Sequence, residues 1–75
     1  MNITFYSLPG CPQCRVLKMK MDAAGVTYTH IEDEAAIAAL GVKGAPVLQY
    51  NGETHCGPQA IKWFNAHVKE LSNGN

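Results

Sequence analysis

The order of hydrophobic and polar residues changes from a strand-like to a helical spacing near the start of the chain. Residues 2–7 alternate and are rich in β-branched and aromatic side chains, which predicts a first strand. The region from Pro12 to about Ala24 predicts a helix, because its apolar residues recur at intervals of three and four. These core positions are Cys14, Leu17, Met21 and Ala24. Gly25 is a suitable residue to end the helix.

The middle of the chain predicts a second strand over residues 26–31 and a short alanine-rich helix over residues 34–40. Asp33 is an N-cap residue by type, and Gly41 ends the helix. Residues 47–50 and 53–56 then flank Asn51-Gly52, the strongest two-residue hairpin signal.

Gly57-Pro58 opens a final predicted helix, and residues 72–75 are predicted to form a polar tail. The helix has one apolar face, formed by Ile61, Phe64, Val68 and Leu71. The resulting order, βαβαββα, joins a parallel βαβ unit to an antiparallel hairpin and a terminal helix. We therefore predict one α/β domain over residues 1–75, with a four-stranded mixed sheet and helices on both faces.

Composition limits the classes of function. Six basic and six acidic residues give a formal net charge of zero, so nothing favours nucleic acid or an anionic membrane as partner. The apolar stretches are too short to span a bilayer, and Met1-Asn2-Ile3 begins a strand rather than a signal segment. Three cysteines, an odd number, do not fit a secreted disulfide framework. We expect a cytoplasmic monomer that binds neither nucleic acid nor membrane.

Cys11-Pro12-Gln13-Cys14 is the strongest chemical signal, since it lies between the first strand and the first helix. Pro12 suits the first helical position, which places Cys11 at the N-cap. Unpaired backbone N–H groups and the helix dipole stabilise a thiolate there, and the thiolate is the form that attacks disulfides. Cys14 lies three residues on, on the same helix face. The motif predicts a pair of redox-active cysteines.

With these features, the whole chain resembles a thioredoxin-fold redoxin of the glutaredoxin and NrdH-redoxin branch. The resemblance rests on the CxxC motif after the first strand, on Gly44-Ala45-Pro46-Val47 before the third strand, and on Gly57 before the last helix. It implies a thioredoxin fold with a cis Ala45–Pro46 bond facing the active-site cysteines. It further implies that Ala45, Pro46 and Gly57 bind the substrate and that Tyr6 lies at the rim of the site.

The chain departs from the glutathione-binding members of that branch at two places. Those members carry a basic residue two or three positions before the first cysteine, where this chain has Leu8 and Pro9. They also carry an acidic residue at the last helix, where this chain has Gln59-Ala60. We therefore expect electrons from an NADPH-dependent flavoprotein of the thioredoxin reductase type, with glutathione as the alternative source.

A zinc-binding module is the alternative of another class, because Cys11, Cys14 and Cys56 with His55 or His30 make a Cys₃His set. Adjacent residues of a strand point to opposite faces, so joint ligation by His55 and Cys56 is awkward. Cys56 alone is predicted to pack at a strand end. No spacing links the three histidines to Cys11, whereas Arg15 adds positive potential near it.

The sequence thus predicts a dithiol–disulfide oxidoreductase that needs no bound cofactor or metal. Cys11 attacks the disulfide of a protein substrate, and Cys14 resolves the mixed disulfide that forms. The resemblance implies that the protein feeds electrons to a reductive enzyme such as ribonucleotide reductase. A glutathione-dependent glutaredoxin is the second enzymatic hypothesis.

Overall fold

The computed structural model describes residues 3–73, with side chains through Leu71. The predicted order of elements is confirmed: β1 (Ile3–Tyr6), α1 (Pro12–Ala23), β2 (Tyr28–Ile31), α2 (Glu34–Ala39), β3 (Val47–Tyr50), β4 (Glu53–Cys56) and α3 (Pro58–Asn73). Asn2 of the predicted first strand and residues 74–75 of the predicted tail lie outside the described residues. Within residues 3–73, no helix has the length and apolar character needed to cross a membrane.

The helix and strand ends differ from the predictions by one or two residues, for identifiable reasons. β2 begins at Tyr28 rather than residue 26, because the Val26 N–H donates to the Met21 carbonyl and so remains attached to the end of α1. Ala24 is the C-cap of α1, and Gly25 follows with φ +72°. The predicted polar tail is wrong at its start, because α3 continues to Asn73.

The four strands form one mixed sheet in the order β2-β1-β3-β4. β1 runs parallel to β2 and antiparallel to β3, and β3 pairs antiparallel with β4. The β3–β4 turn has positive φ at Asn51 (52°) and Gly52 (83°), as a two-residue type I′ hairpin requires. The predicted hairpin is therefore confirmed, and it places Cys56 directly opposite Val47.

The main core lies where α1 and α3 cover one face of the sheet. Its buried side chains are Ile3, Phe5, Cys14, Leu17, Met21, Val26, Leu48, Ala60 and Phe64. Of the predicted apolar face of α3, Phe64 is buried, whereas Ile61, Val68 and Leu71 are partly buried against the cluster. Val47 and Ile37 are buried outside this cluster, and strand pleating turns Val47 to the face opposite Leu48.

Candidate active site

The two cysteines of the CxxC motif lie at the start of α1, where they form a disulfide. Cys11 is the N-cap, with extended backbone (φ −99°, ψ 108°), and Pro12 follows at the first helical position. The Cys14 N–H donates to Cys11 Sγ at 3.1 Å, so the sulfur occupies the position of a capping oxygen. In the reduced protein the same donor and the helix dipole stabilise a thiolate at Cys11.

The two sulfurs differ in their access to solvent. Cys14 belongs to the main core and is only 4% exposed, whereas Cys11 is half-buried and packs against that cluster from its edge. The core contacts of Cys14 fix the start of α1 against the sheet. An incoming disulfide therefore reaches Cys11 before Cys14.

The loop before β3 contains the cis Ala45–Pro46 bond that the family resemblance implied. Pro46 is fully buried, and its carbonyl accepts a hydrogen bond from the Gly57 N–H at 2.8 Å. Gly57 adopts φ +61°, a conformation that favours glycine. This bond joins the proline loop to the start of α3, so the structure brings together Ala45, Pro46 and Gly57.

A groove of about 520 Å³ lies between the start of α1, the proline loop and the start of α3. We call it the docking groove, and its lining includes Gln13, Lys43, Ala45, Cys56, Gly57 and Gln59. Two of the predicted substrate-binding residues, Ala45 and Gly57, are therefore on its wall. Lys43, which the sequence reasoning did not single out, is a cation in the lining.

The third cysteine also lines the docking groove. Cys56 is a free thiol of intermediate exposure at the end of β4. The sequence predicted a packing residue at a strand end, and the strand-end position is confirmed. The thiol is nevertheless partly open to the groove.

A second groove, of about 250 Å³, lies on the other side of the cysteine pair. We call it the histidine groove, and its lining includes Ser7, Leu8, Cys11, Cys14, Lys18 and His30. His30 shares a hydrogen bond with Ser7, through Nε2 and Oγ, and its ring stacks on Phe5 with the centroids 5.0 Å apart. Sequence reasoning missed the Ser7–His30 pair, because the parallel pairing of Phe5 with His30 is not a local signal.

Tyr6 is placed differently from the other predicted site residues. Its hydroxyl donates to Gln49 Oε1 at 3.1 Å, on the neighbouring strand β3. Strand pleating turns Tyr6 away from the face on which Phe5 lies beneath α1. Tyr6 lines neither of the two grooves, but it pairs with Val47, the residue that follows Pro46.

The ligands that the zinc alternative needs are not assembled. Among the side chains described, no three from His, Cys, Asp and Glu converge to hold a metal ion. His55 instead contacts Glu53, Nε2 to Oε1 at 3.1 Å, and stacks on Trp63. Cys56 lies in the docking groove and His30 in the histidine groove, on different sides of the CxxC pair.

An exposed charged cluster lies on α1 beyond the histidine groove. Lys18 Nζ donates to Asp22 Oδ2 at 2.9 Å, and the Tyr28 hydroxyl donates to Asp22 Oδ1 at 2.7 Å. The hydrogen bond from Lys18 lowers the pKa of Asp22, and the same bond raises the pKa of Lys18. The pKa of Tyr28 is raised, first by burial and then by its bond to Asp22.

The sequence matches no protein-family model and no curated protein, whereas solved structures share its fold. The crystal structure of the thioredoxin-like protein BC3987 is 26% identical, with a TM-score of 0.70, over 84% of this chain and 96% of that one. The crystal structure of a point mutant of BC3987 gives 24% identity and a TM-score of 0.73, over 92% and 95% of the two chains. The predicted α/β fold is therefore confirmed as thioredoxin-like, and this fold carries a pair of cysteines at disulfide distance.

Proposed function

We propose that this protein is a dithiol–disulfide oxidoreductase. The Cys11 thiolate attacks a substrate disulfide, forms a mixed disulfide and releases the first substrate sulfur as a thiolate. Cys14 then attacks Cys11, which forms the intramolecular disulfide and releases the second substrate sulfur. Two electrons thus pass to the substrate. The observation that carries this proposal is the half-buried Cys11 sulfur at the N-terminus of α1, with Cys14 buried behind it.

The docking groove is the proposed binding site for the substrate. Its wall contains Ala45, whose peptide groups lie in the loop fixed by the Pro46–Gly57 hydrogen bond. A fixed loop with free backbone groups suits an extended peptide, because the main chain then supplies hydrogen bonds at little cost in entropy. We assign Ala45, Pro46 and Gly57 to substrate binding, and Tyr6, the strand partner of Val47, to the rim of the site.

We place the protein in the glutaredoxin and NrdH-redoxin branch, with a flavoprotein of the thioredoxin reductase type as electron donor. A reductive enzyme such as ribonucleotide reductase is the proposed acceptor, and the protein acts as a cytoplasmic monomer without a bound cofactor. The docking groove supports this choice of donor. Among its described lining residues there is no acidic side chain, so the ammonium group of glutathione has no charged partner there.

A glutathione-dependent glutaredoxin is the second candidate, and Lys43 is the observation in its favour. A lysine in the docking groove supplies one of the charged partners that a glutathione carboxylate needs. Among its described lining residues, the docking groove therefore offers a charged partner to one carboxylate of glutathione and none to its ammonium group. We therefore rank glutathione second to the flavoprotein reductase as the proposed electron donor, and the assay below tests both.

Insulin-disulfide reduction tests the proposed function and its electron source together. We expect turnover with NADPH and thioredoxin reductase to exceed turnover with NADPH, glutathione reductase and glutathione, at equal concentrations of this protein. Faster turnover with glutathione would replace the first candidate by the second. If neither source supports turnover and the reduced protein does not cleave insulin stoichiometrically, the oxidoreductase proposal is wrong.

A further inference from the structure

The histidine groove contains a side-chain pair that the proposed thiol chemistry has not used. Ser7 is a buried polar residue, only 4% exposed, and its Oγ lies 2.5 Å from His30 Nε2. The imidazole is held from two further directions, by the stacked ring of Phe5 and by the edge of Tyr28, whose centroid is 6.3 Å away. His30 is exposed to solvent, and these contacts orient its ring in a groove that also reaches both cysteines.

The bond to Ser7 is compatible with either charge state of the ring. A hydroxyl both donates and accepts, so Ser7 can donate to a neutral imidazole and accept from a protonated one. Histidine is the side chain whose proton exchange falls in the physiological range. A histidine held in this way stays in place while it gains and loses a proton.

Cys14 is the group that needs such a partner. Only a thiolate attacks a disulfide, and a thiol in apolar surroundings gives up its proton reluctantly. The N–H of Cys14 already supports the sulfur of Cys11, whereas Cys14 is buried in the core cluster. The groove, at about 250 Å³, has room for water between His30 and the cysteines.

We propose that His30, positioned by Ser7, accepts the proton of the Cys14 thiol through water in the histidine groove during the resolving step. The Cys14 thiolate then attacks Cys11 of the mixed disulfide, the Cys11–Cys14 disulfide forms, and the substrate sulfur leaves as a thiolate that takes a proton from solvent. His30 afterwards releases its own proton to solvent. The inference rests on the proposed function and adds a proton acceptor, with Ser7 as a positioning residue.

Other charged groups also face His30. On α1 these groups are Arg15, Lys18 and Asp22, and the two cysteines lie beside them. On β2 the group is Tyr28, and Glu32 follows the end of that strand. The pKa of Asp22 is lowered by its bond to Lys18, and the pKa values of Lys18 and Tyr28 are raised. These three groups therefore keep their charge states near neutral pH while His30 exchanges its proton.

Stopped-flow reaction with dithionitrobenzoate separates the two thiol steps, in a Cys56→Ser background that removes the third thiol. The first thionitrobenzoate released reports attack by Cys11, and the second reports resolution by Cys14. For His30→Gln we expect the second phase to slow by at least about tenfold near pH 7. This is less than the roughly 10²–10⁴-fold that a positioned general base contributes, because water carries the proton here. The first phase stays unchanged, and the rates of the two proteins converge in alkaline solution, where hydroxide replaces the base.

Three variants complete the test. Ser7→Ala slows the second phase by less than His30→Gln does, and Ser7→Thr restores it because the hydroxyl returns. His67→Gln, a matched histidine change on α3 where His67 Nδ1 contacts the Trp63 carbonyl, leaves both phases unchanged. A second phase in His30→Gln that matches the parent at every pH overturns the proposal, as does equal slowing of both phases. If the proposed oxidoreductase function is itself wrong, the parent protein releases no second thionitrobenzoate. This outcome differs from a failure of the His30 proposal, in which the parent still releases it.

Discussion

The two grooves beside the CxxC motif differ in chemistry and in how they meet the motif: Cys11 and Cys14 line the histidine groove, whereas Gln13 lines the docking groove. The histidine groove is built from the parallel βαβ half and holds charged and titratable groups, among them Arg15, Lys18 and His30. The docking groove is built from the proline loop, the end of β4 and the start of α3, and Lys43 is the cation in its lining. One side of the motif thus suits proton exchange, and the other suits an extended, largely uncharged segment of substrate.

The contrast also explains why the two cysteines are not equivalent. Cys11 is half-buried and is supported by the Cys14 N–H, whereas Cys14 is part of the core. Under the proposed function, substrate held in the docking groove reacts first with the more exposed Cys11, and under the further inference the proton of Cys14 leaves through the histidine groove. The following predictions test this division, from the largest expected effect to the smallest.

Substitution of either cysteine gives the largest effect and separates the two roles. We expect Cys11→Ser to reduce insulin-disulfide cleavage to the uncatalysed rate, because the thiolate at the helix N-terminus is lost. Cys14→Ser keeps that thiolate, so it captures substrate as a mixed disulfide, seen as a mass adduct that added thiol releases. A stable adduct on Cys11→Ser but not on Cys14→Ser would reverse the assignment.

An acidic residue added to the docking groove tests whether glutathione binds there, because its ammonium group has no charged partner among the described lining residues of the parent protein. Gln59 lines this groove together with Lys43, whereas Leu8 lines the histidine groove. We expect Gln59→Asp to raise glutathione-coupled turnover by about ten- to a hundredfold, since a hydrogen bond to a charged group contributes about 1.5–3 kcal/mol. Leu8→Lys, on the other side of the cysteines, gives a smaller gain.

Lys43→Ala is the companion test of the same groove, with Lys62→Ala on the exposed side of α3 as the matched control. In the Gln59→Asp protein, loss of Lys43 removes most of the gain, whereas loss of Lys62 does not. If Leu8→Lys gives the larger gain, glutathione does not bind in the docking groove.

Removal of the third thiol has a smaller effect, although Cys56 lines the docking groove. Thiol–disulfide exchange needs only Cys11 and Cys14, so we expect Cys56→Ser to keep most of the parent's turnover. The variant also resists inactivation by peroxide, because no third thiol forms off-pathway disulfides. Loss of nearly all activity in folded Cys56→Ser protein would instead indicate a mechanism with three thiols.

Much of the fold could be predicted from patterns among neighbouring residues, whereas the features that could not be predicted depend on contacts between distant parts of the chain. The CxxC position at the start of α1, the Asn51-Gly52 hairpin and the N-cap Asp33 are set by neighbouring residues, and the structure has all three. Ala60, fully buried, was missed because a small side chain adds little to an apolar period. The cis bond at Pro46 came from family resemblance rather than from spacing.

The histidine groove shows the same limit at the candidate site. His30 occupies an exposed strand position, and nothing within a few residues connects it with Ser7 or Cys14. Parallel pairing of β1 with β2 creates the proximity, since it sets Phe5 beside His30. Local patterns therefore identified the two cysteines that form the disulfide, whereas the groups around them required the tertiary arrangement.

The smallest expected effect concerns the exposed cluster at the far side of the histidine groove. Asp22 has a lowered pKa because of Lys18, so its contribution to stability is full above the pKa of the unfolded state and is lost as the pH falls through the folded value. Lys18 and Tyr28 have raised pKa values, so their contributions to stability are full below the pKa values of the unfolded state and are lost as the pH rises through the folded values.

We expect Asp22→Asn to lower Tm by no more than about a few degrees, as for other exposed pairs. Thermal unfolding followed across pH checks the sign: the difference from the parent is constant near neutral pH and shrinks in acid and in strong base. A difference independent of pH, or an equal one in the exposed control Glu70→Gln, would show that charge at this end of the groove does not stabilise the fold.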